Sequence, residues 1–175
     1  MNLTEFVRTI PDYPKPGIMF RDVTTLFRDA SAYGYAVNKL ADHFKHVKVD
    51  AVAGIEARGF VIGASLATTL SLGFIPIRKA GKLPSATFSQ EYDLEYGRDC
   101  VEVHQDAVSH SQRILVVDDL LATGGTADAT IGLLRQAGAI VEHAGFLIDL
   151  PDLGGRSRLL KMGVESRVLM TFAGH

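Results

Sequence analysis

The 175-residue sequence has one cysteine, Cys100, and no tryptophan. A single cysteine excludes an internal disulfide, so the fold must hold by packing, and the pattern agrees with a reducing compartment. An excess of one charge is also missing: 18 Lys and Arg face 20 Asp and Glu, for a formal net charge of -2. That balance argues against the broad basic surface that binds nucleic acid or an anionic membrane, while leaving room for a local basic site. No apolar run is long enough to span a bilayer. Residues 1–10 lack the apolar stretch of a secretory leader. The expectation is a cytoplasmic protein with small-molecule substrates and no nucleic-acid or membrane partner. His43 and His46 lie three apart, but no further ligand pattern accompanies them, so they read as a polar helix face rather than a metal site.

Apolar content of 47% against 22% charged is enough to build a sizeable core, most simply as one domain over residues 1–175. Neither repeats nor low-complexity stretches interrupt it. Residues 3–9 suit a short helix, and Pro11, Pro14, Pro16 and Gly17 then force an extended, turn-rich segment. Tyr33, Ala36, Val37, Leu40, Ala41 and Phe44 recur at helical spacing and predict an amphipathic helix over 31–46. Buried strands are expected at 49–55, 73–78, 95–103, 113–118, 139–149 and 166–172, although Pro76 is awkward in a central strand. Helices are expected over 60–70, after Thr126 with a stop at Gly138, and as a short piece within 151–160. Residues 79–95 form the longest irregular stretch, of a length that often marks a functional lid. Strands alternating with helices imply an α/β fold: a mainly parallel central sheet with helices on both faces. Ligands in such folds sit beyond the carboxyl ends of the strands.

The strongest signal is the string 114–126, ILVVDDLLATGGT. Four apolar residues place a strand in the core, and Asp118 and Asp119 stand at its end. Ala122, Thr123, Gly124, Gly125 and Thr126 then lead into a helix. Glycines allow a tight turn and close approach of backbone N–H groups, and a helix start carries unpaired N–H groups and partial positive charge. Together these make a phosphate site, to which threonine hydroxyls add hydrogen bonds. Carboxylates repel phosphate, so Asp118 and Asp119 suit sugar hydroxyls or a hydrated magnesium ion beside it. A phosphate next to a diol describes a ribose 5-phosphate. Neither a Walker loop nor a G-x-G-x-x-G loop is present.

A second candidate anion site is Glu56-Ala57-Arg58-Gly59-Phe60, another strand-to-helix turn, where Arg58 offers a planar fork of donors. Arg78, Lys79 and Lys82 gather cations at the start of the 79–95 loop.

The 114–126 string resembles the signature of the type I phosphoribosyltransferases, which bind phosphoribosyl pyrophosphate (PRPP) with magnesium. GIEARGF, IRKAGKLP and LEYG, in that order, are similar to the adenine phosphoribosyltransferases, and the similarity runs from PDYPKPGIMFRD to PDLGGRSRL. Ser85 departs slightly, standing where many relatives have glycine or alanine. The resemblance implies a fold with a small N-terminal base-binding hood over 1–30 and a flexible lid over 79–95. It implies that Ala122 to Thr126 hold the 5-phosphate and that Asp118 and Asp119 face the ribose and Mg2+, with no dedicated all-protein metal site. It assigns pyrophosphate to Glu56, Ala57, Arg58, Arg78 and Lys82, with a cis peptide near Glu56–Ala57. Adenine falls to Met19, Phe20 and Arg21, with Phe20 stacking on the base, and the catalytic carboxylate to Glu95. It further implies a homodimer and a reaction of adenine with PRPP that gives AMP and pyrophosphate. Two alternatives carry weight beside this one: transfer to another purine base, and a non-catalytic regulator of the same fold that senses PRPP or purine.

Overall fold

The computed structural model describes residues 1–93 and 97–174. After a 3-10 turn at Leu3–Phe6 come strands β1 (Arg8–Ile10) and β2 (Phe20–Asp22), and helices α1 (Thr24–Arg28) and α2 (Ala30–Phe44). Strand β3 (Ala51–Ile55), helix α3 (Arg58–Leu70) and strand β4 (Gly73–Lys79) follow, then strands β5 (Thr87–Asp93) and β6 (Arg98–His104). The chain continues through β7 (Arg113–Leu121), α4 (Gly125–Gln136), β8 (Ile140–Asp149), a 3-10 turn at Pro151–Leu153, α5 (Gly155–Lys161) and β9 (Glu165–Thr171).

β1 and β2 pair antiparallel as a separate ribbon, and the other seven strands form one sheet in the order β5-β6-β4-β3-β7-β8-β9. The pairs β4–β3, β3–β7, β7–β8 and β8–β9 are parallel, whereas β6 joins β4 and β5 antiparallel. The expected mainly parallel sheet is present. Its central strands are buried on both faces and alternate between two cores. Ala51, Ala53, Ile114 and Val116 meet Ile131 and Leu134 of α4 and Leu159 of α5. Val52, Leu115 and Val117 meet Leu26 of α1, Leu40 and Phe44 of α2, and Ile62 and Leu66 of α3. Each such fully buried side chain is worth about 1.5–3 kcal/mol.

The helix ends follow the sequence signals. The Asp29 carboxylate caps α2 by accepting the Ala32 N–H at 2.9 Å. α4 stops before Gly138, whose φ of +96° suits glycine, and the Ala139 N–H returns to the Leu134 carbonyl at 3.0 Å. Pro76 fits within β4 because the ladder to β6 begins only at Arg78, so no bond on that side is lost at the proline.

Three sequence expectations are corrected. The helix expected over 3–9 is a single 3-10 turn followed by β1. The helix α1, five residues long, was not anticipated. The irregular stretch expected over 79–95 is irregular only at its start, because 87–93 is a strand paired from Thr87↔His104 to Asp93↔Arg98. Its residues alternate strictly: Phe88, Gln90 and Tyr92 are half-buried, while Ser89, Glu91 and Asp93 are exposed. Phe88 and Tyr92 pack against the core on the α4 side.

Candidate active site

Both unusual turns lie at the carboxyl ends of adjacent parallel strands, β3 and β7. Residues 118–127 and Arg58 line a recess of about 200 Å3. Within it Gly124 adopts φ +80° and Gly125 opens α4. Ala122, Thr123, Gly124, Gly125 and Thr126 thus form one concave turn, and Thr123 is exposed at its mouth. The turn is braced from behind. A Cβ on Gly155 would lie 2.3 Å from the Ala122 carbonyl oxygen, so only glycine lets α5 pack this closely. This role of Gly155 was not foreseen: its partners are distant in the chain, and in sequence Leu153 to Arg156 reads as a turn before a short helix more readily than as an anion loop.

Asp118 and Asp119 occupy unequal positions. Asp119 is 4% exposed and pairs with the Arg58 guanidinium through Nε. The Asp118 Oδ1 accepts the Asp119 N–H at 2.9 Å. Burial pushes the Asp118 carboxyl well above the usual carboxylate range, and the neighbouring Asp119 charge pushes it the same way. Burial works to lower the Arg58 pKa, but the charge and hydrogen bond of Asp119 outweigh it and the net shift is upward.

α3 begins at Arg58, against the end of β7. A Cβ on Gly59 would sit 2.9 Å from both Asp118 Oδ1 and the Val117 carbonyl oxygen, so this glycine permits the contact that sets Arg58 beside the aspartates. The Glu56–Ala57 peptide bond is cis. Glu56 itself turns toward β4. Its carboxylate accepts from Arg78 Nε at 3.2 Å, Arg78 Nη2 at 3.4 Å and the Lys79 N–H at 2.9 Å. The hydrogen bond from Arg78 and that from Lys79 hold Glu56 below its ordinary pKa. The sequence grouped Glu56 with the candidate anion-binding residues, and its carboxylate is hydrogen-bonded to another of them, Arg78. Arg78 Nη1 also donates to the Lys82 carbonyl at 3.3 Å, which ties Lys82 to the same corner. Lys79 is spoken for: it pairs with Asp99 and donates to the Tyr92 hydroxyl at 2.7 Å, fastening the β5–β6 hairpin to β4.

A larger cleft of about 680 Å3 adjoins the recess through Arg58, Leu120 and Ala122. One wall is Lys15 to Arg21, and the other carries Leu150 and Leu153. Phe20 is half-buried there, edge-on to Tyr13 with centroids 5.2 Å apart, and the Arg58 guanidinium carbon is 5.6 Å from its ring centre. Met19 is 38% exposed. The Arg21 guanidinium is engaged by the Thr9 hydroxyl at 2.6 Å and the Ala173 carbonyl at 3.3 Å, and it lies over Phe172. These contacts occupy both Nη groups, while the buried Nε has no hydrogen-bond partner. Leu120, Leu150 and Leu153 were not foreseen as cleft residues. They sit at or just beyond the ends of β7 and β8, so the strand-end rule could have found them.

Glu95 lies outside the described residues. The last described residue before it, Asp93, places its carbonyl oxygen 3.8 Å from a Cβ built on Gly125, so the end of β5 adjoins the recess. No group of three or more potential metal ligands occurs among the described residues. None of the described helices is long and apolar enough to cross a membrane.

Residues 29–163 match the model of the phosphoribosyl transferase domain. The chain is 55% identical to the adenine phosphoribosyltransferase of Parvibaculum lavamentivorans over the full length of both proteins. It is 57% identical to that of a Chelativorans species, over 97% of this chain and 93% of the relative. The crystal structure of adenine phosphoribosyltransferase from Thermoanaerobacter pseudethanolicus superposes with a TM-score of 0.93 at 47% identity, covering 97% of this chain and 98% of that one. That of the Saccharomyces cerevisiae enzyme, complexed with an imino-altritol bisphosphate and adenine, gives 0.89 at 35% identity and covers 96% of each chain. With a recess suited to phosphate, a twin-aspartate strand end and a neighbouring apolar cleft in this arrangement, the chain belongs to the adenine phosphoribosyltransferases of the phosphoribosyl transferase family.

Proposed function

We propose that the two connected cavities divide the substrates of adenine phosphoribosyl transfer between them, with the 5-phosphate of PRPP in the recess and adenine in the cleft. The observation that carries this reading is their junction. Arg58, Leu120 and Ala122 line both cavities, so a ligand spanning them has its phosphate at one end and its base at the other. In the recess, the amides of Ala122 to Thr126 and the hydroxyls of Thr123 and Thr126 bind the 5-phosphate. Asp118 and Asp119 receive the ribose hydroxyls. Arg58, Arg78 and Lys82 bind pyrophosphate with the Ala57 backbone, while Glu56 holds Arg78 in place. Phe20 stacks on adenine, and the backbone of Met19 to Arg21 reads its edge. A carbonyl there accepts the amino hydrogens of adenine and would meet a carbonyl in hypoxanthine, which favours adenine.

Adenine N9 attacks C1 of the ribose, the bond to pyrophosphate breaks, and the anomeric centre inverts from α to β. Cationic side chains stabilise the negative charge that develops on the leaving pyrophosphate. Glu95 accepts or shares the purine proton as N9 attacks, and residues 79–95 act as a lid that keeps water from C1. Mg2+ fits the oxygen donors of Asp118 and Asp119 together with those of PRPP, and when bound it supplies charge neutralisation for the pyrophosphate. We assign the working form as a homodimer in the cytoplasm.

Incubation with PRPP, magnesium and each of adenine, hypoxanthine and guanine tests the reading. AMP from adenine, with little product from the others, is expected. Failure to form AMP from adenine refutes the transferase reading and favours a PRPP sensor. Glu95→Ala is expected to lose most turnover while retaining PRPP binding, and undiminished turnover removes its assigned role.

A further inference from the structure

We infer that Arg158 binds the 5-phosphate, so that the recess is not served by backbone amides and threonine hydroxyls alone. Arg158 lies on α5, more than thirty residues after the cradle, and α5 docks directly on it. Its Cδ is 3.4 Å from the position of a Cβ on Gly124, and its Nη1 is 3.8 Å from that of a Cβ on Gly125. A phosphate seated on the Gly124–Gly125 amides therefore has a guanidinium at its flank. The Nε of Arg158 is fixed by the Asp128 carboxylate at 2.6 Å. This bond uses one of five donors and leaves the Nη groups for another acceptor.

Asp128 makes the arrangement necessary. It stands in the first turn of α4, the helix whose start forms the phosphate site. A carboxylate there competes with phosphate for the same partial positive charge and repels it. The ion pair with Arg158 offsets that repulsion and leaves Nη1 beside Gly125, 3.8 Å from the position of its Cβ. Guanidinium and phosphate form charge-assisted, frequently bidentate pairs, which suits a dianionic ester better than a single hydroxyl does. Both side chains are partly exposed, at 48% and 32%, so the effect is moderate rather than decisive.

Since the inference rests on the recess being the 5-phosphate site, the test separates the two. Inhibition constants for ribose 5-phosphate and for pyrophosphate are measured in wild type, Arg158→Gln, Asp128→Asn, the double variant and Thr126→Val. Arg158→Gln is expected to weaken ribose 5-phosphate roughly tenfold with pyrophosphate and the KM for adenine unchanged. The same loss is expected in the Asp128→Asn background, because the guanidinium acts on phosphate directly. A loss that disappears there would mean Arg158 only masks Asp128, and would overturn the inference. So would equal weakening of both ligands, the mark of general damage, or no weakening at all. If Thr126→Val also leaves ribose 5-phosphate binding intact, the recess assignment itself fails. If Thr126→Val weakens it and Arg158→Gln does not, only Arg158 is misassigned.

Discussion

Asp22 closes the ribbon to which the adenine contacts are assigned above, and its removal should be costly in a way that pH can expose. It is 7% exposed and fully engaged. One oxygen accepts from Arg8 Nε and Nη2 at 3.1 and 2.5 Å, the other from the Thr24 N–H at 2.9 Å and the Thr24 hydroxyl at 2.7 Å. The Thr24 hydroxyl bond is the largest influence. With the Arg8 bond and charge it outweighs burial and lowers the Asp22 pKa from 3.8 to about 2. A shift of nearly two units corresponds to about 2 kcal/mol of stability carried by the ionised form. Because the folded pKa is the depressed one, this stability is complete above about pH 5, falls to roughly half near pH 3, and is gone below about pH 2. Asp22→Asn should therefore unfold in urea with a deficit of about 2 kcal/mol at neutral pH, equivalent to a melting point lower by roughly 4–8 °C. The deficit should shrink to about half near pH 3. Since Phe20, Arg21 and Asp22 share β2, the variant should raise the KM for adenine more than that for PRPP. A deficit below about 0.5 kcal/mol, the ordinary range for surface changes, or one that does not vary with pH, would refute the assignment of the stability to the ionised carboxylate.

Two substitutions probe the other walls. Gly155→Ala sets a methyl group 2.3 Å from the Ala122 carbonyl and 2.8 Å from Leu121 Cγ, so the turn at 122–126 must shift. We expect a loss of about 2 kcal/mol in unfolding experiments and a KM for PRPP raised about tenfold, and unchanged kinetics would show that the turn does not depend on its packing with α5. Glu56→Gln weakens the hold on Arg78, and its sign discriminates between roles. The KM for PRPP should rise about fivefold if Glu56 orients the arginine, whereas tighter binding would show that the carboxylate mainly repels pyrophosphate.

Much of the molecule could be read from the sequence because its signals were local. The Asp118 to Thr126 string contains its own strand end, turn and helix start, and the buried runs at 51–55 and 114–117 had to lie inside a sheet covered on both faces. The signals that misled were local as well. Phe88-Ser89-Gln90-Glu91-Tyr92-Asp93 carries strand alternation, but the lysines and glycine before it suggested one long loop. The remaining residues depended on contacts that no window contains. Glu56 reaches Arg78 across 22 positions, Arg158 reaches Asp128 across 30, and Arg58 reaches Asp119 across 61. A charge on the sequence has no address until the fold supplies a partner. The Arg21 guanidinium is likewise held by partners far from it in the chain, Thr9 and Ala173.

The pairing of Arg58 with only one of two adjacent acids bears on the ribose role proposed for this strand end. Two carboxylates side by side at low exposure cannot both be ionised cheaply. Arg58 breaks the symmetry by giving its Nε to Asp119 alone. The burden falls on Asp118, whose titration moves upward toward the neutral form. Carboxylate oxygens accept from hydroxyls, so two acids side by side at a strand end suit the paired hydroxyls of a diol. The same pairing gives Arg58 a second consequence. On the assignments proposed above, pyrophosphate and ribose each offer a partner to one member of the Arg58–Asp119 pair. Substrate binding then exchanges one ion pair for two sets of charge-assisted bonds, so the buried Asp119 keeps a partner while the more exposed Arg58 turns to pyrophosphate.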